Sequence, residues 1–218
     1  MTSPPKLAPA DEFYLAAHDG IGGRSLLPDR ILGVGLGAAL LGELMFWRRV
    51  RPDGDTLHVA DATPTGDPAT SAILQRLTSG PGPHGLGQWI AHLADGTAAE
   101  LVERRLIAAG TLRLETRRRL LGSATTSLVL ADPKSPGEPA ARIRTHLSYN
   151  ENLDIADLML AGLILATGLD AFVLDTCNPR DRARLSDQFR RNLPAPLAHL
   201  VAHTRAAAAA EPVPAAAH

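Results

Sequence analysis

The stretch IADLMLAGLILATGLDAFVL, residues 155–174, is the main apolar segment of this chain and decides its fold. Asp157 and Asp170 interrupt it and leave twelve uncharged residues between them. A transmembrane helix needs about 20 apolar residues, so this segment is too short to span a bilayer and is typical of a buried core helix. We therefore expect a soluble protein whose other elements pack around it.

Helical patterns continue outward from this segment in both directions. A short strand is expected at residues 56–62 (TLHVADA), after a turn at 51–55 (RPDGD). The Pro- and Ala-rich ends, 1–10 and 206–218, are predicted to be flexible tails around one domain at 11–205. Apolar periodicity and cap signals predict helices at 11–19, 29–48, 86–94, 97–109, 138–148, 154–174, 179–192 and 195–205, with one more beginning at Pro68.

The loop TPTGDP, residues 63–68, invites comparison with a phosphate-binding loop. Asp is a preferred N-cap, and Pro is favoured at the first helical position, where its missing N–H costs nothing. The Asp67 carboxylate would also occupy the N–H groups that a phosphate needs. We therefore interpret this loop as the start of a helix.

A β-hairpin is predicted within TLRLETRRRLLGSATTSLVLADP, residues 111–133, because this segment is rich in Leu, Thr and Val around a charged middle. Its tip carries Arg117, Arg118, Arg119, Leu120 and Leu121. Two interpretations remain open. The tip is either a charged edge that resists aggregation or a surface that sets arginines on anionic head groups and leucines into the membrane interface.

Composition excludes several classes of function. The net charge is −1 and the pI about 6.7, so no global positive field attracts nucleic acid. A single cysteine, Cys177, excludes a disulfide framework and a cysteine-cluster metal site. The N-terminal sequence lacks the pattern of a secretory signal. Two lysines against twenty arginines, with abundant alanine, indicate a GC-rich and bacterial origin.

The candidate chemical motifs are weak. GVGLGA at residues 33–38 lacks the last glycine of a dinucleotide fingerprint and is better explained by close helix packing. His199 and His203 are four residues apart but lack the Glu of a zinc-protease helix. No base is expected beside Cys177, and no nucleophile elbow is present. We predict no catalytic residue, no cofactor and no metal.

Four landmarks together resemble the Golgi phosphoprotein 3 family. Their order and spacing cover roughly residues 11 to 193. The landmarks are EFYLAAHDGIGGRSLLPDRIL followed by GLGAALLGEL, the TPTGDP loop, VERRLIAAGTLRLE leading into the hairpin, and LMLAGLILATGLDAFVL. The resemblance implies a mainly α, single globular helical domain with a protruding β-hairpin. It also implies binding of phosphatidylinositol 4-phosphate, a hairpin that contacts membrane and other copies, and no enzymatic activity.

The family's lipid-binding residues do not carry over to this chain. The places of a Trp and three Arg of the phosphoinositide pocket fall on Pro28, Gly37, Gly96 and Ala99. Without guanidinium groups, bidentate recognition of a phosphate is lost there. The tip also differs from that of the family, because Arg119 and Gly122 stand where relatives have aromatic residues beside the two leucines.

We therefore expect a non-enzymatic peripheral adaptor that contacts anionic phospholipid head groups or a partner protein through the tip at 117–121. The expected location is the cytoplasm, or the cytoplasmic face of a membrane. Two other classes stay open. One is a small-ligand-binding or enzymatic domain that uses the equivalent pocket, and the other is a structural subunit of a homo-oligomer with a buried hairpin.

Overall fold

A computed structural model describes residues 7–20, 23–80, 82–117 and 125–210. This part of the chain is mainly helical, as predicted, and contains two antiparallel hairpins, of which the second was expected. The helices are α1 Pro9–Ala16, α2 Asp29–Phe46, α3 Pro68–Thr78, α4 Leu86–Leu93, α5 Thr97–Ala108, α6 Glu138–Ser148, α7 Ile155–Ala166, α8 Asp170–Val173, α9 Pro179–Asn192 and α10 Ala195–Ala209. The strands are β1 Val50–Asp53, β2 Thr56–Val59, β3 Leu112–Arg117 and β4 Thr125–Leu130.

Helix α2 runs through the core, and its glycines let neighbouring helices approach closely. A Cβ atom at Gly35 would lie 2.2 Å from Phe13 Cζ of α1, and one at Gly42 would lie 2.4 Å from Met159 Sδ of α7. Its five leucines are buried, and four of them are 0% exposed. Close packing of small residues, rather than a dinucleotide loop, is therefore the role of this segment, as predicted.

Helix α7 is buried almost throughout, which confirms the core assignment of the apolar stretch. It is shorter than predicted, because it ends at Ala166 and the chain turns at Gly168 with φ +74° before the short helix α8. That positive φ is readily adopted by glycine and breaks the helical path. In the described part of the chain, no helix combines the length and the apolar character needed to cross a membrane.

The first hairpin differs from the expectation. Strands β1 and β2 pair antiparallel from Val50↔Val59 to Asp53↔Thr56, with a turn at Gly54 in the left-handed region (φ +56°). Residues 51–53 therefore belong to a strand and not to a turn. Helix α10 also continues to Ala209, four residues further than predicted.

Candidate functional site

The second hairpin carries the predicted contact surface. Strands β3 and β4 pair from Leu112↔Leu130 to Arg117↔Thr125. Leu112 is 3% exposed, whereas Leu114, two residues further on the same face of the strand, is 63% exposed. The β3 side of the hairpin is therefore exposed at Leu114, whereas its cross-strand partner Leu128 is partly buried against the core.

The tip itself is described only where it begins. Arg117 is the last residue of β3, opposite Thr125. Arg118, Arg119, Leu120 and Leu121 lie outside the described residues. Their role in lipid or partner contact stays a prediction.

The four positions equivalent to the phosphoinositide pocket provide no charged group. Gly37 packs against α4, and a Cβ atom there would lie 2.9 Å from Leu93 Cβ. Gly96 is the N-cap of α5 in the left-handed region, with φ +109°. Pro28 is exposed at the N-cap of α2, and Ala99 is partly buried against the core. The chemistry and the space for a guanidinium are therefore missing at position 37.

An open groove of about 500 Å³ lies beside these positions, between α2, α4 and α10. Two of its polar residues are already engaged. Arg30 donates to the carbonyl oxygens of Ala207, at 3.0 Å, and Ala210 at the end of α10, and Asp95 accepts the Thr97 N–H at 2.9 Å. The groove is otherwise rich in alanine, so it offers a binding volume with few free polar groups.

The TPTGDP loop is a helix start, as predicted. The Asp67 carboxylate accepts the Thr70 N–H at 2.8 Å and the Thr70 hydroxyl at 2.8 Å. The Thr65 hydroxyl contacts the Thr70 hydroxyl at 2.7 Å and the Ser71 hydroxyl at 3.0 Å. These bonds use the polar groups of the loop to fix the beginning of α3.

Asp67 also belongs to a buried ionic cluster around Arg105. The guanidinium donates to Asp11 at 2.8 Å, to both oxygens of Glu43 at 2.9 and 3.1 Å, and to Asp67 at 3.2 Å. Glu43 additionally accepts the Ala10 N–H at 2.9 Å. Because both oxygens of Glu43 accept from protein donors, this carboxylate is a structural group rather than an available base.

The cluster holds three carboxylates against one guanidinium. Burial raises the pKa of Asp11 to about 6, and the attraction of Arg105 offsets this only in part. Burial also raises the pKa of Glu43. The site therefore favours a proton on a carboxyl group under mildly acidic conditions.

A second cluster adjoins the first through the neighbouring residue of α1. Arg142 donates to Glu12 at 2.6 Å and to Asp157 at 2.8 Å. The consecutive acidic residues of α1 thus tie this short helix to α5 on one side and to α6 and α7 on the other. Both clusters join elements that are distant in sequence.

The remaining chemical candidates are not assembled into a site. His203 Nε2 lies 3.2 Å from Asp55 Oδ1, and its ring lies edge-on to His199 with 6.0 Å between the ring centroids. Burial raises the pKa of the Cys177 thiol, which favours the protonated and less reactive form. Among the described residues, no group of three potential ligands could hold a metal ion.

An exposed aromatic pair at the end of α2 was not predicted from the sequence. Phe46 is 54% exposed and Trp47 is 42% exposed. The available signal was the segment FWRRVR at residues 46–51, where two of the chain's eight aromatic residues adjoin three arginines.

A comparison with protein-family models gives one family for this chain. The model described as Golgi phosphoprotein 3 (GPP34) matches residues 10–211. None of the curated proteins compared with the chain matches it. The matched range includes every helix except the first residue of α1, together with both hairpins.

Proposed function

This chain belongs to the Golgi phosphoprotein 3 family, and from that premise we propose that it is a non-enzymatic peripheral adaptor. It contacts anionic phospholipid through the tip of the second hairpin, at Arg117, Arg118, Arg119, Leu120 and Leu121. The observation that carries this proposal is the change from buried Leu112 to exposed Leu114. It supports a hairpin whose strand β3 becomes exposed in the direction of the basic and apolar tip.

The expected binding free energy of the tip is consistent with weak attachment at a single site. Each arginine near an anionic membrane contributes about 1 kcal/mol, so the three together contribute about 3 kcal/mol. Partial burial of two leucines adds about 2–3 kcal/mol. The sum corresponds to a dissociation constant on the order of 100 μM.

Recognition in this proposal depends on charge and not on a particular phosphoinositide. Gly37, Gly96 and Ala99 occupy the places of the three pocket arginines, and Gly37 is closed against Leu93. Without planar donors, the inositol phosphate has no bidentate partner at these positions. Any acidic phospholipid should therefore serve.

The non-enzymatic part of the proposal is supported by the state of the buried acids. Glu43 accepts hydrogen bonds from Arg105 and from the Ala10 N–H, and Asp67 of the TPTGDP loop caps helix α3. The groove beside Arg30 favours one alternative, a small apolar ligand bound between α2, α4 and α10. Soaking with such ligands would test that alternative.

Vesicle co-sedimentation tests the leading proposal. The protein is mixed with phosphatidylcholine vesicles and with vesicles containing an equal share of phosphatidylglycerol. We expect binding to the anionic vesicles only, and a loss of more than about 100-fold when Arg117, Arg118 and Arg119 are all replaced by Glu.

A charge-matched control uses three arginines elsewhere. Arg104, Arg190 and Arg191 have side chains 69%, 76% and 75% exposed. Replacing them by Glu changes the net charge equally and should reduce binding much less. Equal losses for the two triple variants, or equal binding to neutral vesicles, would overturn the proposed role of the tip.

A further inference from the structure

An exposed apolar patch lies at the opposite end of α2 from Pro28. It consists of Phe46, Trp47 and Ile155, which are 54%, 42% and 39% exposed. The three side chains line one cavity of about 120 Å³. We call this surface the aromatic patch. Clustered exposure of large apolar side chains is uncommon on monomeric proteins and marks interaction sites.

The backbone places the aromatic pair at a protruding corner. Helix α2 ends at Phe46, Trp47 is the C-cap, and Arg48 takes a left-handed conformation with φ +56°. A non-glycine residue with a positive φ is uncommon, and it turns the chain sharply here into β1. Within the described residues, the indole N–H of Trp47 has no hydrogen-bond partner, so it is available to an acceptor outside the protein.

The charges around the patch favour an anionic partner. The side chains of Arg48 and Arg51 are exposed and form no hydrogen bond or ion pair with the described part of the chain, whereas Arg49 pairs with Asp61. Glu43 lines the same cavity but is paired with Arg105, and the carboxylate of Asp154 accepts the Asp157 N–H at 2.8 Å. Two arginines therefore remain free beside the aromatic pair.

Several helix ends meet beside the patch. Ala8 and Pro9 at the start of α1, Ile155 and Ala156 at the start of α7, and Leu197 in the first turn of α10 line the same cavity. Three helix N-termini therefore meet at this end, against the single C-terminus of α2. Acidic residues offset the partial positive charge of two of these N-termini, because Asp11 and Glu12 lie in the first turn of α1 and Asp154 caps α7. The attraction of anions therefore depends on the arginines that follow Trp47.

We infer that the aromatic patch is a second membrane contact, which seats Phe46 and Trp47 in the interfacial region of an anionic phospholipid bilayer. Trp is enriched at that depth because its ring is apolar and its N–H finds acceptors there. The cavity is below the usual 300–1,000 Å³ of a ligand pocket, so it does not receive a bulky anchor from a partner. The inference goes beyond the hairpin contact and depends on different residues.

Tryptophan fluorescence offers a direct test, because Trp47 is exposed while Trp89 is 4% exposed and serves as an internal reference. With vesicles of equal phosphatidylcholine and phosphatidylglycerol, we expect a blue shift and quenching by brominated lipid. Trp47→Phe should abolish both changes. A Trp47 signal that does not change, or changes equally with neutral vesicles, would overturn the inference.

Co-sedimentation with the same vesicles measures the contribution of the patch to binding. Phe46→Ser with Trp47→Ser should weaken binding by about tenfold or more, since two linked weak contacts reinforce each other. Tyr149→Ser with Phe172→Ser is the matched control, because those aromatics are 74% and 56% exposed outside the patch. The control pair should change binding by less than about twofold. Circular dichroism confirms that both pairs are folded.

The outcomes separate this inference from the proposed function. If reversal of the tip arginines abolishes binding and the patch variants bind like the unchanged protein, the hairpin proposal stands and the inference fails. If the patch variants lose binding while the reversed tip binds normally, the inference stands and the hairpin proposal fails. If the patch variants bind vesicles normally but alter self-association in light scattering, the patch is a protein interface and the inference fails.

Discussion

Arg104 and Arg105 are neighbours on α5, yet they have opposite environments. Arg105 has a side chain 12% exposed and contacts three carboxylates, whereas Arg104 is 69% exposed and pairs with Glu100, four residues earlier. The proposed function requires the tip arginines, which begin at Arg117, to be exposed as Arg104 is. What distinguishes an internal arginine from a surface arginine is therefore the set of acids that other elements bring to it, not its neighbours in sequence.

The largest effect should come from removing the internal arginine. Arg105→Met leaves Asp11, Glu43 and Asp67 buried without a countercharge, and we expect a loss of about 3–5 kcal/mol in the free energy of unfolding. Urea denaturation measures this. Arg104→Met, the neighbouring control, should stay within about 0.5 kcal/mol. Equal losses would contradict the comparison.

The next effect concerns the pH dependence of the same cluster. The pKa of Asp11 is raised from 3.8 to about 6, so its protonated form favours folding. This contribution is present below pH 3.8 and is lost as the pH rises through 6. It amounts to about 2–3 kcal/mol.

The variant Asp11→Asn removes the titrating group and keeps an oxygen for Arg105. Relative to this variant, the unchanged protein should lose stability by that amount between pH 4 and pH 7. Denaturation at several pH values measures the difference. A difference that is independent of pH would show that Asp11 ionises normally.

A smaller effect should follow from the cap of α3. Asp67→Ala removes the bonds to Thr70 and one contact with Arg105, and we expect a loss of about 1–2 kcal/mol. Asp95 also accepts a backbone N–H at a helix start but lies at the surface. Asp95→Ala should therefore cost about 0.5 kcal/mol. Thermal denaturation of the two variants compares an internal cap with an external one.

The smallest effect on stability should come from the tip. Replacing Arg117, Arg118 and Arg119 together by Ala should change the free energy of unfolding by less than about 0.5 kcal/mol. The same variant should lose about 100-fold in affinity for anionic vesicles, because about 3 kcal/mol of attraction is removed. A large loss of stability would show that these arginines stabilise the fold as Arg105 does, and it would contradict their assignment to the surface.

Local signals predicted much of the fold. The bounds of α6 and α9 agree with the sequence prediction, and Asp67 caps α3 as its position before Pro68 indicated. The hairpin at β3 and β4 was also found, because Leu, Thr and Val on both sides of a charged segment are typical strand residues. These features depend on residues that are close in sequence.

Features that depend on distant partners were not predicted. Arg105 joins Asp11 across 94 residues and Glu43 across 62, which no local pattern reveals. Strand β1 contains Pro52 and Asp53, both poor strand formers, and it exists because β2 pairs with it. The exposure of Phe46 and Trp47 follows from where α2 ends relative to α7 and α10, and this is a property of the packed protein.

The close approach of Gly37 to Leu93 has an evolutionary consequence. An arginine at position 37 would require a β-carbon 2.9 Å from that leucine, so helix α4 would have to shift before the substitution could be tolerated. A single substitution at this position therefore cannot introduce a guanidinium group without a compensating change in α4. As long as α4 keeps its position, residue 37 is restricted to glycine.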